Sequence, residues 1–142
     1  MVVISASANC NAKQELACSR IISDAGLKAW WIGNVKIMEM DLLWPELGTN
    51  MHWRSGGGSF KAQIKTDARP LYIEMSVDTP SANTTIRHTF EKLPEGGTRY
   101  TKLIEPIWRT GISRFLSPLF ILLLRMAVKK EVKRAVRFAD NQ

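Results

Sequence analysis

The sequence carries two histidines, two cysteines and thirteen carboxylates, and one of these groups sits in a pattern that points to chemistry. His88 lies in Ile86-Arg87-His88-Thr89-Phe90. Strand alternation puts Ile86, His88 and Phe90 on one face and Arg87, Thr89 and Glu91 on the other. A histidine between two large apolar residues faces an interior. A neutral imidazole there can orient a ligand carbonyl or act as a general acid–base, with an unperturbed pKa of about 6.5. The plain alternative is a packed histidine hydrogen-bonded to a neighbour, which is the commoner case. Catalysis needs a second group. Glu105 is a candidate, but Tyr100, Lys102 and Ile104 alternate with Thr101, Leu103 and Glu105 without a clear apolar face, so its direction is open.

Arg125 falls at the edge of an apolar helical stripe, where it either meets a ligand acid or phenolate or snorkels to solvent. Trp30, Trp31, Trp53 and Trp108 provide large apolar areas with a polar edge. Such residues line small-molecule pockets or fill a core; Trp30 and Trp53 are the better cavity candidates, and Trp31 and Trp108 suit a rim. Gly56-Gly57-Gly58 is no phosphate loop, because neither a Gly-Lys-Ser/Thr ending nor a helix follows it. Cys10 and Cys18 lack metal-ligand spacing and read as reduced thiols of a cytoplasmic protein. No metal or cofactor is expected.

The elements that position these groups follow from punctuation and period. Trp44–Gly48, Gly56–Gly58, Asp67–Pro70, Asp78–Ser81 and Pro94–Gly97 are Gly- and Pro-containing turns. They separate six alternating strands near 35–42, 48–55, 59–67, 71–78, 83–92 and 98–105. One polar face on each predicts an antiparallel sheet wetted on one side. A further strand, Val2–Ala8, comes first. Asn11 with Gln14 reads as a capping box opening a helix to Ile22, and Ser23-Asp24 caps a short second helix reaching Trp30 or Trp31. Ser117-Pro118 starts a long helix to about Ala139, with Ile121, Leu124, Val128, Val132, Ala135, Val136 and Ala139 on one stripe. Its first turns, Leu119–Leu124, are apolar all round. The outer residues Leu119, Leu123 and Met126 call for loop cover, a dimer contact or a membrane-facing patch.

A length of 142 residues fits one domain, and a hydrophobic share of 45% with 23% charged residues excludes a disordered or collagen-like chain. The net charge of +7 is concentrated between Arg125 and Arg137, where six cations accompany only Glu131. Lys129, Lys130, Lys133, Arg134 and Arg137 lack interleaved aromatics for RNA stacking. Their simplest role is a solvated face complementing the helix dipole, so no nucleic acid is expected. The Phe115–Val128 stretch is too short to span a bilayer.

The order of strand, two short helices, six meandering strands and one long helix resembles the helix-grip fold of the START/Bet v 1-like (SRPBCC) superfamily, the polyketide cyclase/dehydrase and lipid-transport type. The resemblance rests on Val2–Ala8, Lys13–Ser23, Asp24–Trp31 with its tryptophan, Leu47-Gly48-Thr49, Pro94–Arg99 and the closing helix, and covers nearly the whole chain. It implies a single α+β domain, 1–142, whose curved seven-stranded antiparallel sheet wraps the long helix around a hydrophobic cavity. A sheet this broad under one helix leaves a gap for side chains or a guest to fill. The expected function is therefore binding of a lipid-like, polyketide-like or aromatic small molecule. Trp30, Trp53, Phe60, Ile64, Ile73, Met75, His88, Phe120, Leu124 and Arg125 are the expected ligand contacts. The alternatives are a cyclase/dehydratase-type enzyme using His88, or a protein or ribosome interaction module using the basic helix. The chain is expected to be a monomer or homodimer.

Overall fold

The structure, a computed structural model, describes residues 2–79, 82–108 and 118–141. Alternation becomes strand at β1 (Ile4–Cys10), β2 (Lys36–Met40), β3 (Asn50–Ser55), β4 (Gly58–Ala68), β5 (Tyr72–Asp78), β6 (Ala82–Lys92) and β7 (Thr98–Trp108). The helices are α1 (Gln14–Ile22), α2 (Asp24–Trp30) and α3 (Pro118–Asp140). This is the α+β helix-grip fold. Its single antiparallel sheet has the order β1-β7-β6-β5-β4-β3-β2, so β2 through β7 meander and β1 crosses over to pair with β7. The triple glycine is a two-residue hairpin turn: Ser55 pairs with Gly58, and Gly56 and Gly57 between them both have positive φ, as a type I′ turn requires.

Register brings the inner face together. Phe90 pairs with Tyr100, His88 with Lys102 and Ile86 with Ile104. All six are buried. The mixed pattern of β7 thus resolves with Tyr100, Lys102 and Ile104 inward, and Glu105 on the opposite face between buried Ile104 and Pro106. Glu105 is therefore no partner for His88.

Two helix starts differ from each other in how they are capped. Ser23 caps α2 as expected, its Oγ accepting from the Gly26 N–H at 3.0 Å. The Asn11–Gln14 capping box does not form: α1 begins after Lys13 without a side-chain cap. Tertiary partners take both residues instead. The Gln14 amide is buried and donates to the Phe90 carbonyl at 2.7 Å, while the N–H groups of Asn11 and Ala12 donate to the Asp140 carboxylate at 2.9 and 3.0 Å. β1 also starts two residues later than expected, and β7 continues three further. Pro118 opens α3; its expected cap, Ser117, lies outside the described residues.

The buried line of α3 is Val128, Val132, Ala135 and Ala139, at steps of four, three and four. α3 packs against β1, α1 and α2 and touches β7. Its end is tied down by Arg20, which donates to the Ala139 carbonyl at 2.6 Å. Among the described residues no loop covers Leu119, Leu123 and Met126 as expected, and all three are exposed. Trp44, in the Trp44–Gly48 turn, packs against the core and donates to the Ile22 carbonyl at 3.1 Å.

Candidate functional site

Beneath α3 the inner face of β6 and β7 carries a row of buried polar side chains. His88 Nδ1 lies 2.6 Å from Tyr100 Oη, and the two rings stack at 12° with centroids 5.8 Å apart. Lys102 Nζ donates to Glu131 Oε1 of α3 at 2.8 Å, and also sits 3.9 Å from the centroid of the Trp30 ring. Trp30 is held in turn by its indole N–H, which donates to the Ile21 carbonyl at 3.1 Å. Strand register supplies His88, Tyr100 and Lys102, and the helices supply Trp30 and Glu131.

Burial sets the protonation states. It drives the His88 pKa well below its ordinary 6.5, and the nearby Lys102 charge pushes in the same direction. It also drives the Tyr100 phenol well above 10, with the Glu131 charge adding to the shift. Lys102 is lowered from 10.5 by burial, against the opposing attraction of Glu131. His88 is thus neutral and Tyr100 protonated near neutral pH. The phenol has no other hydrogen-bond acceptor among the described residues, so its O–H donates to Nδ1. That assignment leaves the imidazole proton on Nε2.

His88 Nε2 has no partner among the described residues, and neither does the buried Nε1 of Trp53. Both side chains line one void, together with Trp30, Met51, Met75 and Ile86. Its volume is about 10 Å³, the size of one water at most. It is not the gap expected under the long helix: among the described residues its walls come from the sheet, α1, α2 and Trp44, and none from α3. Trp31 packs behind Trp53, with its ring centroid 5.3 Å from Trp53 and 4.9 Å from Phe60. It is anchored by donating to Ser55 Oγ at 3.0 Å.

Trp30, Trp53, Met75 and His88 border the void. Ile64 and Ile73 lie buried in the surrounding core, Phe60 packs with Trp31 and Trp53 and Leu124 is half-buried against the core. Phe120 and Arg125 do not face the interior. The line through Val128, Val132 and Ala135, continued backward by four and three, passes through Leu124 and Ile121 and misses both. Phe120 packs on Trp108 at the surface, with centroids 5.8 Å apart, and Arg125 is exposed. Tyr100, Lys102 and Glu131 were not among the expected ligand contacts; the only signal for them was the register that ties β7 to His88.

A far larger cleft lies elsewhere. It is an open surface trough of about 630 Å³ beside Cys18, Trp44, Pro45 and Arg69. Its Arg69 and Asp67 already satisfy each other, at 2.7 and 2.8 Å. The Cys18 thiol, pushed up to about 11 chiefly by burial, stays protonated. The buried row, with its unpartnered nitrogens, is the better candidate. Among the described residues no group of His, Cys, Asp and Glu is placed to hold a metal.

No family model matches the chain, and no curated protein matches it in sequence. Solved structures match over nearly the full length. A Chromobacterium violaceum protein aligns at TM-score 0.74 and 13% identity, covering 99% of both chains. A Thermus thermophilus protein aligns at 0.72 and 18%, covering 97% of both. The Zhui aromatase/cyclase of a Streptomyces species aligns at 0.69 and 13%, covering 97% of this chain and 93% of its own. At these identities the likeness establishes the helix-grip fold, and the site must argue for itself.

Proposed function

We propose that the protein binds a small, largely apolar molecule bearing a hydrogen-bond acceptor, in the space between the sheet and helices α1 and α2. The observation that carries this reading is the pair of buried, unpartnered nitrogens, His88 Nε2 and Trp53 Nε1, on side chains that line the same void. Buried donors in native proteins almost always find acceptors, and both are N–H donors here. A ketone, quinone or phenolate oxygen answers them, while Trp30, Met51 and Met75 receive apolar surface. A void of about 10 Å³ admits no such molecule, so entry requires bordering side chains, such as the half-buried Trp44, to move aside. Opening lowers the apparent affinity in proportion to the fraction of time the void is open. The aromatase/cyclase among the structural neighbours supports a planar, polyketide-like guest. On this reading the chain is one START/Bet v 1-like domain spanning 1–142, and its buried free thiols suit a cytoplasmic setting.

The test is native mass spectrometry for a co-purified compound, with tryptophan quenching by 1-acetonaphthone as the defined probe. Saturable quenching that weakens about tenfold in His88→Phe, the loss of one hydrogen bond to a buried group, is the expected result. No co-purified species together with non-saturable quenching sinks the proposal.

A second reading, an enzyme of the cyclase or dehydratase type, draws on a separate observation: His88 is not the sole inward ionisable group. Tyr100 fixes its tautomer as the orienting member of a catalytic pair does, and Lys102 keeps positive charge nearby for a developing enolate. Enzymatic turnover retained in His88→Gln would discard this reading and leave binding standing.

A further inference from the structure

We propose that the outward face of α3 docks the protein on anionic lipid bilayers. α3 has 23 residues and is about 34 Å long. The side opposite Val128, Val132, Ala135 and Ala139 divides into two lengthwise halves. Leu119, Leu122, Leu123 and Met126 come first, at 65, 53, 54 and 57% exposure. Lys129, Lys130, Lys133 and Arg137 then continue the same side, all exposed. None of these cations has a carboxylate within ion-pair distance among the described residues. The helix's own two acids are engaged elsewhere: Glu131 turns in to Lys102, and Asp140 accepts from the Asn11 and Ala12 N–H groups.

The charge pattern selects the occupant. A second copy laid antiparallel along this face would set leucines against lysines, and one laid parallel would set lysines against lysines. A bilayer with anionic headgroups satisfies both halves at once. With the helix tilted, its first turns enter the headgroup–acyl boundary while the basic turns stay among the phosphates. Residues 119–126 rise about 10 Å along the axis, the depth to which interfacial helices bury. No helix among the described residues is long and apolar enough to cross the membrane. The attachment is peripheral, and it is independent of the interior site.

The test is co-sedimentation of the intact protein with vesicles of phosphatidylcholine containing about 30% phosphatidylglycerol, against phosphatidylcholine alone. The expected result is binding to the anionic vesicles at least about tenfold tighter than to neutral ones, weakened by salt. Lys130→Gln/Lys133→Gln and Leu122→Ser/Leu123→Ser should each lose about tenfold or more while melting like the parent, since all four side chains point outward. Equal binding to both vesicle types, binding unaffected by either pair, or no binding at all overturns the proposal. So does a concentration-dependent dimer that Leu122→Ser/Leu123→Ser abolishes without vesicle binding, or retention on RNA that outcompetes the anionic vesicles.

Discussion

His88 and Lys102 are two buried bases with opposite needs, and each yields a measurement. His88 is neutral in the folded state, with its pKa driven down by burial, whereas in the unfolded chain it titrates near 6.5. Below that pH the unfolded state binds a proton that the folded state refuses, so stability falls as pH drops through the window beneath 6.5, by up to about 1.4 kcal/mol per pH unit. Urea denaturation between pH 7 and 5 should show this slope and find it flattened in His88→Phe. Lys102 needs Glu131. Removing the carboxylate alone, as in Glu131→Gln, strands a buried ammonium and should cost about 3 kcal/mol, whereas Lys102→Met/Glu131→Leu should come out near neutral. An equal loss in both variants would show that the pair is not the source. The inward aim of His88 was legible because its strand neighbours Ile86 and Phe90 are large and apolar. Lys102 was not legible, because the acid that makes its burial tolerable lies on another element, 29 residues along the chain.

At the scale of elements, the turns and the order of strands and helices were readable, since Gly and Pro act locally through φ. The start of α1 was not, because Asn11 and Gln14 are claimed by Asp140 and Phe90, partners that local sequence cannot reveal. A close approach within the helical region is equally invisible in the sequence. Gly26 of α2 lies against the backbone carbonyls of Arg20 and Ile21, so a Cβ there would overlap both. Gly26→Ala should therefore destabilise the protein by about 2 kcal/mol or more through overpacking, against the gain Ala brings to an open helix; a higher melting temperature would contradict that contact. α3 is two elements in energetic terms. Its line from Val128 to Ala139 is buried, whereas within Leu119–Met126 only Leu124 packs against the core. Hydrogen exchange should release the amides of 122–126 well before those of 131–139.

Taken whole, the molecule places its polar chemistry in one layer and its surplus charge in another, with α3 belonging to both. The hydrophobic periodicity of α3 was plain in the sequence and identified the closing helix of the fold. The fate of the interior was not, because whether a broad sheet under one helix encloses a hollow depends on how Trp30, Trp31, Trp53 and Phe60 interlock, and side-chain packing has no sequence period. A fragment ending at residue 108 should bind hydrophobic dyes and lack a cooperative melt. It would leave the α1 and β1 surfaces that meet α3 bare and Lys102 without its acid; a cooperative transition would refute that dependence.

The seating of β1 has a temporal consequence. β2 through β7 can zip hairpin by hairpin, each strand meeting the one made just before it. β1 cannot: its neighbour in the sheet is β7, with Ile4 facing Ile104, and among the described residues no strand lies on its other side. During synthesis the first strand must wait, unpaired, for most of the chain to emerge before its hydrogen bonds can close. Such long-range closure is slow. The rate-limiting step of folding should therefore be the arrival of the N-terminal strand, and mutations at the β1–β7 seam should slow refolding more than equally destabilising ones in the β3–β4 hairpin.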